Sequence, residues 1–286
     1  GTVNFFGRYA YVGAGKDGLH AVVWTEQEEP QAAYGSHLHK LAYPDNYRKH
    51  VEEKHSELKE AHHHHGEEIL DLTLRGEYLY TANGPGGFEI FDVANIDNKG
   101  FSERIVSSPV SPLGQRTYIR AKHATSVTLP STLGIDPLRQ RLPENEEQPI
   151  SLTYGSVYVT DKEEGLVVVF VGTLVDGDPA NNFFRDSDVT RFNPDGKLTG
   201  ARHSYMAGNN LYVVGDKGLF VIDVSTPSKP KLVGELAAGL NSPKAIAVQF
   251  RYAFITDADG LKVVDITAPT KPKLVMGANV PMKSGG

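Results

Sequence analysis

The chain contains no cysteine, which excludes disulfides, thiolate metal sites, a cysteine nucleophile and covalent attachment of a c-type haem to it. That absence fits an oxidising exterior, where an unpaired thiol is a liability, and fits cytoplasm equally well. No run of about 18 apolar residues occurs, so no stretch reads as a membrane-spanning helix. There is no basic surplus either. A net charge of -6 at pH 7 and a pI of 6.0 leave no electrostatic footprint for nucleic acid or an anionic membrane. The chain opens on Gly1 with no initiator Met, as expected of a processed protein or of a piece of a longer one.

Catalytic signatures are also missing. There is no Gly-x-Ser-x-Gly elbow, no Walker loop and no Rossmann fingerprint. Gly84-Pro-Gly-Gly87 leads into a strand rather than a helix, so it reads as a turn and not as a phosphate cradle. The pairs Glu67-Glu68 and Glu146-Glu147 are adjacent and would point to opposite faces of a strand, which does not make a carboxylate dyad. An enzyme is not expected.

What the chain does have is repetition. Gly218-Leu-Phe-Val-Ile-Asp-Val-Ser-Thr-Pro-Ser-Lys-Pro-Lys-Leu-Val233 returns as Gly260-Leu-Lys-Val-Val-Asp-Ile-Thr-Ala-Pro-Thr-Lys-Pro-Lys-Leu-Val275. A repeat of this length is one small sheet that cannot bury its faces alone. Each copy opens on an aromatic β-rich stretch, such as Arg251-Tyr-Ala-Phe-Ile-Thr256. It then turns at a motif such as Asp257-Ala-Asp-Gly260 and enters a short apolar strand. The outer strand follows the prolines of Pro269-Thr-Lys-Pro272, tolerable at the start of an edge strand.

The same grammar recurs at Arg8-Tyr-Ala-Tyr-Val-Gly13, at Glu77-Tyr-Leu-Tyr-Thr81 and at Ser156-Val-Tyr-Val-Thr-Asp161, giving five units with the quoted pair. Each has a candidate inner strand before it: Val3–Phe6, Ile69–Leu74, Ala124–Leu129, Ala201–Met206 and Ala245–Gln249. Four strands at roughly 40 residues per unit predict an all-β fold, a β-propeller of four-stranded blades, over an open sandwich. Five blades are visible. They close as a five-bladed ring or belong to a larger, seven-bladed one.

The strand Leu219-Phe-Val-Ile-Asp-Val224 with its Pro-x-x-Pro-x-Leu-Val tail resembles the LVIVD-repeat family of bacterial and archaeal β-propellers, most closely over residues 200–276. The family Asp stands at Asp92, Asp223 and Asp265, while Val23 and Phe170 replace it in the first and third units. The segment from Asn83 through Pro137 is similar to a subgroup found with multihaem c-type cytochromes. That resemblance implies an extracytoplasmic protein, in the periplasm or at the cell surface, near electron-transfer partners.

Residues 1–286 are expected to form one propeller domain interrupted by insertions. Residues 25–66 carry a stretch rich in helix formers, Asp45 to His62, which predicts a helical insertion near residues 45–65 started by Pro44-Asp45 and stopped by Gly66. Residues 94–150 include the polar Leu142-Pro-Glu-Asn-Glu-Glu-Gln-Pro149, a solvated loop. The third insertion lies within 172–200. Its carboxylates, Asp176 to Asp188, lack the spacing of a twelve-residue calcium loop, so Ca²⁺ is not expected there.

Of 11 histidines, all but His123 and His203 precede Gly66. His37, His39, His55, His62, His63, His64 and His65 are the candidate ligands for Cu²⁺, Zn²⁺ or Ni²⁺, for which imidazole is the common nitrogen donor. His37 and His39 would share one face of an extended chain, and His55 would share a helical face with His62. The position one turn after His55 is Lys59, no ligand, and no His-Glu-x-x-His is present. The plain alternative is a solvated helix end with an incidental tract. A third reading is axial contact with a partner's haem iron. His20 falls where a blade strand alternates outward. His123 and His203 fall at inner strands, where a hydrogen-bonded structural role is the ordinary one.

The expected function is a non-catalytic, extracytoplasmic scaffold that binds a protein partner, with a multihaem c-type cytochrome implied by the resemblance and haem present only in that partner. The alternatives are a transition-metal-binding protein using the histidine-rich insertion, and an enzyme with a site at the channel mouth.

Overall fold

A computed structural model of the chain describes residues 2–6, 9–16, 19–25, 28–32, 68–76, 78–93, 106–107, 118–130, 154–174, 184, 186–278 and 280–281. The strands in chain order are β1 Thr2–Phe6, β2 Tyr9–Gly13, β3 Leu19–Thr25, β4 Glu28–Ala32, β5 Asp71–Arg75, β6 Tyr78–Ala82, β7 Phe88–Asp92, β8 Val106–Ser107, β9 Tyr118–Ile119 and β10 Ala124–Thr128. They continue as β11 Ser156–Asp161, β12 Gly165–Phe170, β13 Val189–Phe192, β14 Ala201–Ala207, β15 Asn210–Gly215, β16 Gly218–Asp223, β17 Lys231–Leu236, β18 Ala245–Gln249, β19 Tyr252–Asp257, β20 Gly260–Asp265, β21 Lys273–Leu274 and β22 Val280–Pro281. All five expected inner strands are present, as β1, β5, β10, β14 and β18. The expected helix over residues 45–65 lies outside the described residues.

Two compact units make up the chain. The first comprises Gly1–Val127 and Thr173–Asp186, the second Thr128–Gly172 and Ser187–Gly286. In the first, β1 to β4 form one antiparallel sheet in chain order, and β5 to β8 another, with β9 also paired to β7. In the second, β11, β12 and β13 are antiparallel neighbours, as are β14 to β17 and β18 to β21, with β22 added on β20.

The apolar runs follow from burial on both faces. In β15 and β16, Leu211, Val213, Phe220 and Ile222 pack with Tyr158, Leu166 and Val168 of the preceding sheet. The alternating Tyr212, Val214, Leu219 and Val221 pack with Ile246, Val248, Ile255 and Val264 of the following sheet. A strand covered on one face would alternate apolar with polar; covered on both, it reads as continuous Leu-Phe-Val-Ile. Each such side chain contributes about 1.5–3 kcal/mol when buried. On β20 the place of Phe220 is taken by Lys262, and that sheet carries one less-buried face.

Every second strand holds an aromatic at its third position: Tyr11, Tyr80, Tyr158, Tyr212 and Phe254. Tyr11, Tyr80 and Tyr158 are among the largest fully buried side chains. In the first unit Phe88 lies beside both Tyr80 and Phe184, with ring centroids 6.2 and 6.4 Å apart. Burial raises the Tyr158 hydroxyl far above the ordinary phenol range, so it stays protonated.

The glycine that begins the third strand is set by its backbone conformation. Gly165, Gly218 and Gly260 take φ of 81°, 124° and 132°. A Cβ on Gly218 would stand 2.5 Å from the Leu236 carbonyl oxygen. At Gly208 a Cβ would meet nothing within 4 Å, so only its φ of 59° resists substitution. Gly218→Ala is therefore expected to lose at least about 2 kcal/mol in denaturant unfolding and Gly208→Ala only about 1 kcal/mol. Equal losses would contradict the close approach at Gly218.

Candidate functional site

The polar side chains of the inner strands hold neighbouring sheets together. In the first unit Asn4 Nδ2 donates to the Leu72 carbonyl at 3.0 Å, tying β1 to β5. Asp71 Oδ2 accepts the Val127 N–H at 2.9 Å, tying β5 to β10, while Asp71 Oδ1 accepts the Leu72 N–H at 2.9 Å. In the second unit Thr128 Oγ1 donates to the Ser204 carbonyl at 2.9 Å and lies 2.8 Å from Ser204 Oγ. The Ile246 N–H donates to His203 Nδ1 at 3.4 Å, tying β14 to β18. His203 is thus a seam group, in the structural role expected for it. His123 sits half-buried just before β10.

The repeated aspartates close turns. Ser225 N–H donates to Asp223 Oδ1 at 2.9 Å, and Thr267 N–H donates to Asp265 Oδ1 at 2.8 Å. Asp161 Oδ1 accepts from Glu163 and Glu164 at 2.8 and 2.7 Å, and Asp257 Oδ1 from Asp259 and Gly260 at 2.8 and 3.0 Å. Each carboxylate replaces a backbone partner that the turn lacks. The backbone and hydroxyl bonds from Ser225 hold the Asp223 carboxyl below its usual range, aided by Lys231. The bonds from Thr267 do the same for Asp265, aided by Arg251 and Lys273.

Within the second unit the first turn of a repeat adjoins the loop after its third strand. Val224 N–H donates to Asn209 O at 2.9 Å, and Ile266 N–H donates to Arg251 O at 2.8 Å. In the last repeat this end carries the exposed Arg251, Lys271 and Lys273 around Asp265, and in the one before it Lys229 and Lys231 around Asp223. The second-to-third turns at the other end carry Glu163, Glu164, Asp216 and Asp259 against Lys162 and Lys217. The first of these ends is the basic one; at the other, Glu164 pairs with Arg191 and Asp216 with Arg202.

At the basic end the hairpin between β18 and β19 breaks the repeat's rule. The first loop residue is Gly76 in one repeat and Gly208 in another, each with φ of 59°. In the last repeat it is Phe250, with φ of 54° and a side chain 91% exposed. A bulky residue in this region costs on the order of 1–2 kcal/mol more than glycine. Beside it Arg251 Nη2 donates to Tyr252 OH at 2.8 Å, and its guanidinium lies 5.0 Å from the Tyr252 ring centroid.

A cavity of about 270 Å³ opens where Phe170 replaces the family aspartate. Phe170, Val168 and Pro227 supply its apolar wall, and Ser156, Asp188 and Thr226 are among its polar lining. In the first unit Thr81, Asn83 and Glu89 form a buried polar group, in which Asn83 Nδ2 donates to Glu89 Oε2 at 3.0 Å. Gly84-Pro-Gly-Gly87 beside it is a turn into β7, paired through Gly84 with Ala124.

His37, His39, His55, His62, His63, His64 and His65 all lie outside the described residues, as do Asp176 and Asp178. Among the described residues no group of three or more His, Cys, Asp or Glu is placed to hold a metal ion, and no helix is long and apolar enough to cross a membrane.

LVIVD repeats occur in the chain at residues 69–104, 204–237 and 242–279. These are the three units that keep the family aspartate, as Asp92, Asp223 and Asp265. No curated protein matches the chain. Among solved structures, Chaetomium thermophilum Sqt1, bound to the N-terminus of a ribosomal protein, is 12% identical, with a TM-score of 0.59 over 98% of this chain and 63% of that one. The β-propeller domain of Myceliophteria thermophila Cps50 (Swd1) is 11% identical, TM-score 0.46, over 90% and 66%. A computationally designed protein, Ika8, is 10% identical, TM-score 0.49, over 91% and 56%. The chain spans between 56% and 66% of the length of these three. The fold is a β-propeller, and three of its segments match the LVIVD repeat.

The turn-closing role of the family aspartate has a pH signature. Both folded carboxyls lie below the ordinary 3.8, so their stabilisation is full above that value and is lost as pH falls through the lowered values. The double variant Asp223→Asn, Asp265→Asn is expected to have a lower Tm than the parent at pH 7, with the gap closing in strong acid. A gap independent of pH would contradict the assignment.

Proposed function

We propose that this chain is a non-catalytic, extracytoplasmic scaffold whose propeller binds a protein partner, and that the partner is a multihaem c-type cytochrome. The observation that carries the binding role is the division of labour along the repeats. Inner-strand side chains such as Asp71, Thr128 and His203 are engaged in seams, while large apolar side chains, Phe250 and Met276 among them, stand exposed on turns and loops. A rigid frame with exposed anchors suits recognition by residues held at fixed positions. Sqt1 offers a precedent, a chain of similar fold that holds the terminal segment of another protein. The cytochrome and the compartment are supported by the resemblance of residues 83–137. A second reading, uptake of Cu²⁺, Zn²⁺ or Ni²⁺, rests on the concentration of imidazoles between His37 and His65.

The chain, affinity-purified from its native cells without a metal column, is expected to retain haem absorbance at a fixed ratio to protein, with the haem lost when the complex is dissociated by salt or denaturant. Recovery of the chain with other proteins but no haem would leave a scaffold without this partner. Recovery as an isolated chain under all salt conditions would remove the scaffold reading.

A further inference from the structure

Among the described residues Phe250 is the large apolar side chain most exposed to solvent. The hairpin position it occupies asks for a left-handed backbone, which Gly76 and Gly208 supply without strain, and Gly7 stands at the same place in the first repeat's sequence. Nothing in the fold calls for a side chain there. A Cβ built on Gly76 or Gly208 meets no atom within 4 Å. Phe250 accepts the strain and buries almost nothing in return, being 91% exposed. A local rule broken without an internal gain marks a site selected for contact.

The surroundings give the chemistry of that contact. Arg251 is held against the Tyr252 ring and hydroxyl, so a guanidinium and a phenol follow the exposed Phe250 at one hairpin tip. Phenylalanine, tyrosine and arginine are among the side chains enriched in protein interfaces. Lys271 and Lys273 add charge to the same end, and Asp265 stays ionised among them. The mixed-sign rim favours a protein, whose charges occupy fixed places, over a uniformly anionic lipid surface. We propose that the Phe250–Arg251–Tyr252 tip is a docking site for an acidic protein segment that presents an apolar socket or side chain to Phe250. This deepens the scaffold reading and rests on it.

The test is selection of a displayed random peptide library on the full chain, with Phe250→Gly and Arg251→Glu as comparison proteins and phosphatidylglycerol vesicles as a separate probe. The site predicts enrichment of peptides combining Asp or Glu with a large apolar residue. Their affinity should fall at least tenfold on Phe250→Gly and on Arg251→Glu, while Phe250→Gly raises Tm by a few degrees because the strain is removed. Enrichment of acidic peptides to the same extent on all three proteins would overturn the proposal. So would a fall in Tm for Phe250→Gly, which would make Phe250 a structural residue, or Phe250-dependent binding to the vesicles alone. A Phe250→Gly chain that still captures its native partner at full strength would discard this docking site and leave the scaffold reading standing.

Discussion

Everything in this molecule depends on sheets that cannot stand alone. A four-stranded sheet with apolar side chains on both faces must cover each of them, and in the second unit the β14 to β17 sheet does so with a neighbour on either side. The apolar effect supplies the attraction but not the register, since it is non-directional. Register comes from the inner-strand bonds: Asn4 to Leu72, Asp71 to Val127, Thr128 to Ser204 and His203 to Ile246. Each fixes a residue of one sheet against a residue of the next. The rest of each sheet then follows from its hairpins.

The frame accounts for several polar side chains among the described residues. Aspartates that look titratable in a list of residues are turn closures, and the histidine on β14 is an acceptor in a seam. The positions where a repeat departs from its siblings stand out against that frame. Phe170 stands where the family has aspartate, and a cavity opens there; Phe250 stands where two siblings have glycine, and the side chain is thrown into solvent. Such departures are informative because the repeat itself is the control: the same backbone position, solved several times within one chain, shows what the fold requires and what it merely tolerates.

The fold was legible because its signals are local and repeated. Gly218 and Gly260 are required by a positive φ, and Asp223 and Asp265 by the turn that follows them. The aromatic at the third place of each second strand is visible by alignment of the chain with itself. The seams were not legible, because Asp71 and Val127 meet only after two sheets have formed, and no spacing rule connects them. Phe250 was hidden for a different reason. An isolated Phe in a β-rich stretch reads as core, and its exposure emerges only once the hairpin places it at a tip with φ of 54°. The compositional signal that drew attention in the sequence, the tract from His37 to His65, lies outside the described residues.

The central claim is that inner-strand bonds set the pairing of whole sheets, and hydrogen exchange in an Asp71→Ala chain tests it most directly. If the Asp71 carboxylate positions β10 on β5, exchange should accelerate together across residues 71–75 and 124–128, by about tenfold or more, the factor expected for loss of one bond to a charged acceptor. Acceleration confined to the Val127 amide, with both strands otherwise as protected as in the parent, would mean that packing alone sets the register and would contradict the account.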